Sequence, residues 1–245
     1  IEIPQIQLTK TMDALTYIKK QKPVTSDSPL TFEQLEQGYG YVLYKKRFTQ
    51  PITGTLKVPG LRDFATVYVN GKKVGELNRV FNTYEMPIKI PFNGSLEILV
   101  ENMGRINYGA EIVNNLKGII APVTINDYEI TGGWEMYKAP FAEVPEIKNS
   151  KEVKTGRPVV YSGNFDLKKQ GDTFLNMSKM GKGIVFVNGH NLGRYWKVGP
   201  QQTLYVPGCW LKKKDNTITI FEQLNDVAAT SISAQKTPIL EDLKS

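Results

Sequence analysis

Four acidic residues lie on or beside stretches of the chain that read as strands: Glu97, Glu101, Glu135 and Glu222. Two carboxylates roughly 5 Å apart can divide the roles of acid and nucleophile in hydrolytic chemistry. Glu101 and Glu222, however, end two similar segments in different parts of the chain, and a catalytic pair is not expected once per copy. We therefore interpret both as structural acceptors of hydrogen bonds from a neighbouring turn, and we predict no catalytic residue in this chain.

Histidine and cysteine chemistry is limited because the chain contains one residue of each type, His190 and Cys209. A single cysteine forms no intrachain disulfide, and this pair supplies no multi-histidine or cysteine-based metal site. His190 follows an Asn-Gly pair, where a solvated turn residue is expected rather than a catalytic base. Cys209 is expected to be a small buried hydrophobic residue. We predict no metal site and no cofactor.

Sugar binding uses exposed aromatic faces beside a few polar groups. Trp134, Trp196 and Trp210 are therefore the candidate carbohydrate-contacting residues. The competing interpretation is that each tryptophan packs on its own domain or on a neighbouring one, as large aromatic side chains commonly do. The sequence leaves both interpretations open.

The sequence contains the same hairpin pattern twice. Ile184–Val187 are β-branched or aromatic residues that favour a strand, and Asn188-Gly189 tolerates the positive φ of a type I′ turn. The same order of residue types surrounds Asn70-Gly71. Downstream of the two hairpins, Ser95–Asn102 resembles Asn216–Gln223, and both segments end in Glu followed by an amide. Two matched segments in the same order predict one module used twice.

Composition sets the class of protein. The chain has 245 residues, with 40% hydrophobic and 10% aromatic residues, which is typical of a folded globular protein. The net charge is +7, but the basic residues are scattered, and the run Lys212–Lys214 is interpreted as a solvated loop rather than an anion site. We therefore expect no nucleic-acid partner. No stretch approaches the roughly 18 apolar residues of a membrane span. The absence of an initiator Met suggests either the middle of a longer protein or a processed end.

Short strands separated by Gly, Pro and Asn predict an all-β chain with two β-sandwich domains in tandem. We expect an N-terminal segment and linker at 1–30, with a strand through Ile3, Ile6 and Leu8 and a short helix within Thr11–Lys20. The first domain is predicted at 31–133, a connector at 134–157 and the second domain at 158–245. Jelly-roll topology fits this pattern but cannot be read from it.

Four stretches of the chain closely resemble the C-terminal half of glycoside hydrolase family 35 β-galactosidases: Gln37–Tyr44, Val100–Ala110, Val187–Trp196 and Gly199–Pro207. In that family a TIM-barrel catalytic domain precedes two β-sandwich domains of the galactose-binding-like jelly-roll type. The family's catalytic glutamates lie in the barrel, and nothing in this chain alternates strands with long helices. The resemblance therefore implies non-catalytic β-domains of an enzyme that hydrolyses terminal β-galactosides.

The resemblance also implies a TIM-barrel partner in the same polypeptide and an extracytoplasmic location. Two other functions stay open: a free-standing carbohydrate-binding module, and a complete hydrolase with an unrecognised carboxylate pair. Binding of glycan by the isolated chain would distinguish the module from the scaffold.

The loop Asn102–Gly109 is the strongest functional candidate, because it combines Gly and Asn residues with Arg105, Asn107 and Tyr108. One interpretation is an internal loop that is held by Arg105. The sharper hypothesis is that these three residues face the barrel and shape its substrate entrance, since an Arg and a Tyr suit a polar interface with an amphipathic anchor.

Overall fold

The computed structural model describes residues 1–244 and forms two compact units. The first domain comprises Ile18–Ala142. The second domain comprises Ile1–Tyr17 together with the chain from Glu143 onward. The segment predicted at 1–30 is thus divided: Ile1–Tyr17 belongs to the second domain, and residues 18–30 belong to the first. Their assignment depends on long-range pairing, which local patterns do not encode.

Three elements precede the first domain's strands: β1 (Ile3–Gln7), β2 (Lys10–Asp13) and helix α1 (Ala14–Ile18). The predicted strand through Ile3 and Ile6 is confirmed, but it ends at Gln7, one residue before Leu8. The predicted helix is shorter than expected, because Lys10–Asp13 pairs as a strand with Val159–Ser162. The Asp13 carboxylate accepts a hydrogen bond from the Thr16 N–H at 2.7 Å, which caps the start of the helix.

The first domain contains twelve strands and one 3₁₀ helix. The strands are β3 (Val24–Ser26), β4 (Gly40–Arg47), β5 (Ile52–Lys57), β6 (Leu61–Arg62), β7 (Phe64–Val69), β8 (Lys72–Asn78), β9 (Glu85–Ile90), β10 (Ser95–Asn102), β11 (Gly118–Ile119), β12 (Thr124–Ile125), β13 (Tyr128–Glu129) and β14 (Trp134–Ala139). The 3₁₀ helix is Ala110–Asn114.

These strands form two main antiparallel sheets, ordered β3-β14-β4-β10-β7-β8 and β13-β12-β5-β9, and a small pair β11-β6. Alternate residues such as Val67 and Ile98 from one sheet pack with Leu56 and Ile88 from the other in a single core. The domain is therefore a β-sandwich, as predicted.

Two segments predicted as linkers contribute strands to this sandwich. β14 lies between β3 and β4, although residues 134–157 were predicted to be a connector. β3 lies within the predicted linker that ends at Pro29. Flanking Pro and Gly residues suggested loops, but the backbone hydrogen-bonding groups of Trp134–Ala139 are paired on the β4 side of the sheet.

The second domain adds seven strands to β1 and β2: β15 (Val159–Phe165), β16 (Thr173–Asn176), β17 (Lys182–Val187), β18 (His190–Trp196), β19 (Thr203–Val206), β20 (Asn216–Glu222) and β21 (Ser231–Gln235). A 3₁₀ helix spans Gly208–Trp210. The sheets are ordered β18-β17-β20-β15-β2 and β1-β21-β16-β19, and all pairings are antiparallel. This domain is a second β-sandwich with its own core, which includes Val185, Ile220, Leu204 and Ile232.

The two sandwiches have equivalent strand orders. In the larger sheets, β8-β7-β10-β4-β14 corresponds to β18-β17-β20-β15-β2; in the smaller sheets, β9-β5-β12-β13 corresponds to β19-β16-β21-β1. The last strand of each series differs in origin. The first domain takes β13 and β14 from chain that follows β10, whereas the second takes β1 and β2 from the N-terminus. The two domains thus share one strand order, but the strands that complete it follow the shared strands in the first domain and precede them in the second.

The predicted pair of Asn-Gly hairpins is confirmed. Asn70 and Gly71 have φ of 51° and 74°, and Asn188 and Gly189 have φ of 49° and 86°. Each asparagine side chain accepts a hydrogen bond from the first residues of the adjacent strand: Asn70 from the Ser95 N–H and Asn188 from the Thr217 N–H, both at 2.8 Å. Each hairpin also has a register shift before its turn, at Val67/Tyr68 and Val185/Phe186.

The predicted equivalence of Glu101 and Glu222 is wrong by one residue. Ala65 and Gly183 occupy the same position relative to their turn asparagines, and they lie opposite Val100 and Glu222 respectively. Glu222 therefore corresponds to Val100. A shift of one residue moves a strand side chain to the other face of the sheet, so the two glutamates lie on opposite faces of their strands.

Candidate functional site

The loop after β10 is fixed at its base by a buried aspartate. One oxygen of Asp63 accepts hydrogen bonds from the Lys117 ammonium at 2.7 Å and the Met103 N–H at 2.9 Å. The other oxygen accepts one from the Arg79 guanidinium at 3.0 Å. Lys117 and Asp63 are both buried. Both ends of the loop, at Met103 and Lys117, are therefore bonded to the Asp63 carboxylate. Hydrogen bonds to a charged group are stronger than those between neutral groups.

Arg105 holds the middle of the loop. Its guanidinium donates to the Gly38 carbonyl at 3.2 and 3.3 Å and to the Asn115 carbonyl at 3.0 Å, and it forms an ion pair with Glu33 at 2.6 Å. The Asn102 side chain also donates to the Gly38 carbonyl, at 3.1 Å. The interpretation of a loop held by Arg105 therefore agrees with the geometry.

Glu33 must be ionised to form its ion pair with Arg105. Burial by itself would raise the pKa of Glu33, but hydrogen bonds from the Lys117 N–H and from Arg105 act against it. The pKa of Glu33 therefore lies below its ordinary value. The carboxylate stays ionised at neutral pH and keeps its ion pair with Arg105.

The outer rim of the same loop is apolar and exposed. Tyr108 is 90% exposed and Val113 is 82% exposed, and Ile106, Ile112 and Leu116 are also exposed. Asn107 lies on this rim and is exposed. We call the side chains from Ile106 to Leu116 the rim surface. It combines an ordered backbone with apolar side chains that water solvates poorly, and such patches commonly mark binding surfaces.

Trp134 is not a carbohydrate-contacting residue, which corrects one candidate. Its side chain is fully buried in the first domain's core, and its indole N–H donates to the Ile130 carbonyl at 2.9 Å. A buried Trp needs such a partner for its one polar group. The sequence could not separate this residue from an exposed tryptophan.

Trp196 and Trp210 are partly buried and have neighbours of their own. The Lys182 ammonium lies 4.2 Å from the centroid of the Trp196 ring. The His190 ring stacks on Trp210 with a centroid distance of 4.2 Å and an interplanar angle of 12°. One face of each indole is thus taken by a side chain of this chain, which reduces the area open to a sugar.

Three of the four glutamates first considered for catalysis have structural partners: Glu97, Glu135 and Glu222. Glu97 is paired with Lys19 at 2.5 Å and Glu135 with Lys45 at 2.7 Å. Glu222 is buried and accepts hydrogen bonds from the N–H groups of Gly181, Lys182, Leu224 and Asn225 and from the Tyr195 hydroxyl. The expected role of Glu222 as an acceptor for neighbouring turns is confirmed.

Burial raises the pKa of Glu222, and the backbone donors act in the opposite direction. Residues 1–244 contain no group of three or more His, Cys, Asp or Glu side chains placed to hold a metal ion. Within the same residues, no helix has the length and apolar content to cross a membrane.

Sequence reasoning missed Glu33, Asp63 and Lys117, which hold the candidate loop in place. Asp63 and Lys117 are 54 positions apart and meet only when β6 pairs with β11. No local pattern marks such a contact. The segment Lys117-Gly118-Ile119 offered one signal, a charged residue beside an apolar strand, but it also fits a solvated strand end.

The fold and the loop define a class: two β-sandwich domains in one chain, the first of which carries an anchored loop with an exposed apolar rim. Comparison with known proteins gives the family. Residues 29–140 match the family model "Beta-galactosidase, first all-beta domain", and residues 158–216 match "Beta-galactosidase, galactose-binding domain". The chain belongs to the family of β-galactosidase β-domains.

Curated relatives agree with this assignment. A β-galactosidase of Xanthomonas manihotis is 36% identical over 185 residues, which cover 75% of this chain and 31% of the relative. Beta-galactosidase 1 of Dictyostelium discoideum is 33% identical over 227 residues, covering 83% and 34%. Beta-galactosidase 17 of Arabidopsis thaliana is 36% identical over 233 residues, covering 81% and 33%. The chain thus spans about a third of the length of these relatives.

Proposed function

We propose that this chain supplies the non-catalytic β-domains of a β-galactosidase, and that a TIM-barrel domain elsewhere in the same polypeptide hydrolyses terminal β-galactosides. The rim surface, with Arg105 holding it and Asn107 and Tyr108 upon it, docks against that barrel and shapes its substrate entrance. The size of the relatives supports a larger polypeptide, because this chain matches about a third of their length.

The observation that carries the proposal is an apolar rim on an anchored loop. Tyr108 and Val113 are the most exposed apolar side chains of the loop, while Arg105 and Asn102 fix the backbone below them. Docking of an already ordered loop loses little conformational entropy, so more of the contact energy is available for association. Tyr is also enriched in the centres of protein interfaces.

The full-length enzyme tests this role. Tyr108→Ala and Val113→Asp should each lower kcat/KM for an aryl β-galactoside or the thermal stability of the catalytic domain, and the β-domains should remain folded. Tyr128→Ala is the matched control, because Tyr128 is an 80% exposed tyrosine elsewhere in the first domain. The control should behave as wild type. If both rim variants keep wild-type kinetics and stability, the docking surface lies elsewhere.

The isolated chain provides the second arm. It should show no turnover of an aryl β-galactoside, and it should stay monomeric in sedimentation. Turnover that disappears in Glu101→Gln or Glu222→Gln would identify a complete hydrolase instead. A dimer that Val113→Asp dissociates would show that the rim surface binds a second copy of the chain.

A further inference from the structure

The smaller sheet of the second domain, β1-β21-β16-β19, has one face in the core and one outer face. Strand register sets the rows on the outer face. Phe174 lies opposite Tyr205 on one side and Gln235 on the other, and Asn176 lies opposite Ser233. Leu175, between the two rows, points into the core. The outer face thus presents an aromatic row beside a row of amide and hydroxyl groups.

The aromatic row is held in place. The Phe174 and Tyr205 rings lie 5.6 Å apart between centroids at an angle of 47°, and Tyr205 is 49% exposed. The nearby Asp172 carboxylate raises the pKa of Tyr205, and it accepts a hydrogen bond from the Gly208 N–H at 2.7 Å. An exposed tyrosine whose ring packs against a neighbouring ring has less side-chain freedom left to lose on binding.

The polar row borders a cleft of about 290 Å³. Gln5, Asn176, Ser231 and Ser233 line it, and Lys179 is the only charged residue of its lining. The Asn176 amide donates to Gln235 at 2.9 Å, which leaves further donor and acceptor capacity on both side chains. Phe174 and Asn176 are two residues apart on one strand, or roughly 7 Å. One extended ligand can therefore touch the rings and the cleft together.

The equivalent face of the first domain has a different composition. The outward pairs of β5 and β9 are Thr53 with Lys89, Thr55 with Pro87, and Lys57 with Glu85. Lys57 also pairs with Asp127 at 2.6 Å in an exposed ion pair. Two of these three pairs contain charged residues and none contains an aromatic residue, as expected of a solvated sheet face. The aromatic and amide rows of the second domain are therefore not a requirement of the fold.

We infer that the outer face of the β1-β21-β16-β19 sheet binds an uncharged polysaccharide chain. A sugar ring has an apolar C–H face that packs on an aromatic ring and a rim of hydroxyls that donate and accept hydrogen bonds. Amides and hydroxyls match those hydroxyls, because each both donates and accepts. This inference stands apart from the proposed scaffold role, which depends on the rim surface of the first domain.

Affinity electrophoresis of the complete chain tests the inference. Gels contain soluble β-1,4-galactan, xylan or mixed-linkage β-glucan, with polygalacturonate as the acidic comparison. At least one neutral polymer should retard the wild-type chain. Tyr205→Ala should weaken that binding by about tenfold, the effect expected for loss of one stacked ring. Ser233→Glu, which places a charge in the cleft at little cost to the core, should weaken it similarly.

Two controls keep the result interpretable. Lys89→Ala alters the equivalent face of the first domain and should leave binding unchanged, as should Tyr128→Ala. Circular dichroism shows whether Tyr205→Ala folds, and Ser233→Glu serves if it does not. Absence of retardation by every neutral polymer would overturn the inference, as would wild-type binding by both site variants. Retardation by polygalacturonate alone, lost at high salt, would also overturn it, because it would indicate charge attraction.

Discussion

The two domains share a strand order, but different polar groups hold the chain after the equivalent strands β10 and β20. After β10 the first domain extends a long loop and secures it with the ion pairs of Asp63, Lys117 and Arg105. After β20 the second domain turns back at once around the buried carboxylate of Glu222. The first arrangement leaves an apolar rim exposed to solvent, whereas the second leaves a compact turn. A shared strand order therefore fixes where loops emerge, and the polar anchors decide what each loop presents.

The largest expected effect comes from removing β1, a strand that the second domain takes from the N-terminal part of the chain. Deleting residues 1–9 removes Ile3, Ile6 and Leu8 from that domain's core. Burial of each such side chain contributes about 1.5–3 kcal/mol, so their combined loss approaches a typical total stability of about 5–15 kcal/mol. The second domain should unfold while the first stays folded, as measured by limited proteolysis with mass spectrometry.

Gln7→Ala is the control for this deletion, because Gln7 lies on the same strand with an exposed side chain. It should leave the proteolytic pattern unchanged. Simultaneous loss of protection in both domains after the deletion would contradict the expected independence of the first domain.

The next largest effect separates the two equivalent positions Glu222 and Val100. Glu222→Ala leaves several buried N–H donors without their acceptor and should lower the free energy of unfolding by roughly 3–5 kcal/mol. Val100→Ala only removes apolar volume from the first core and should cost about 2 kcal/mol. Urea denaturation measures both values. If Glu222→Ala costs no more free energy of unfolding than Val100→Ala, the hydrogen bonds that the Glu222 carboxylate accepts do not stabilise the second domain.

The hairpin turns offer a finer comparison. The Asn188 side chain donates to the Trp210 carbonyl at 2.7 Å and to Asn216 at 2.9 Å, besides accepting from Thr217. Asn70 bonds only with Ser95 among the hydrogen bonds of the described residues. Substitution by Gly keeps the positive φ and removes only these bonds.

Asn188→Gly should therefore cost about 3 kcal/mol and Asn70→Gly about 1–2 kcal/mol, given roughly 1 kcal/mol for each net hydrogen bond. Thermal unfolding of the two variants checks the difference. Equal losses would mean that the additional bonds of Asn188 contribute nothing to stability.

The smallest effect concerns the pH dependence of the first domain's loop anchor. Because the pKa of Glu33 is lowered in the folded state, its ion pair stabilises the fold above the ordinary pKa of 4.5. That contribution is lost as the pH falls through the lowered pKa. Glu33→Gln should cost up to about 1 kcal/mol at pH 7, and the difference from wild type should shrink in acid. Urea denaturation across this pH range measures it; a difference that grows in acid would reverse the assignment.

Local signals in the sequence predicted the parts of this fold that depend on local conformation. Asn70-Gly71 and Asn188-Gly189 were recognisable because positive φ selects these residue types. The register of the strand that follows was misjudged by one residue, since Glu plus an amide ends both segments in sequence but not in the pairing. Sequence similarity aligned Glu101 with Glu222. The hydrogen bonds of β10 to β7 and of β20 to β17 instead determine which face of the sheet each side chain occupies.

Long-range pairing accounts for what could not be predicted. The membership of β1 and β2 in the second domain and of β14 in the first depends on partners far along the chain. At the candidate site, the loop of Arg105 and Tyr108 was identified from its Gly and Asn residues, but the ion pair of Arg105 with Glu33 was not predicted. Glu33 lies in an unrelated stretch of sequence, and only the folded β-sandwich brings it to Arg105.

The origin of β1 also determines the order in which the second domain can be completed during synthesis. Ile3 pairs with Ala234, so β1 leaves the ribosome long before its partner strand β21. All of the first domain's sequence emerges in between, and domains commonly fold as units as soon as they are available. A closure of this length carries an entropy cost that grows only slowly with the number of intervening residues, but it delays the contact. Until β21 has been synthesised, Ile3 and Ile6 lack their partner strand and remain apolar residues that chaperones can bind.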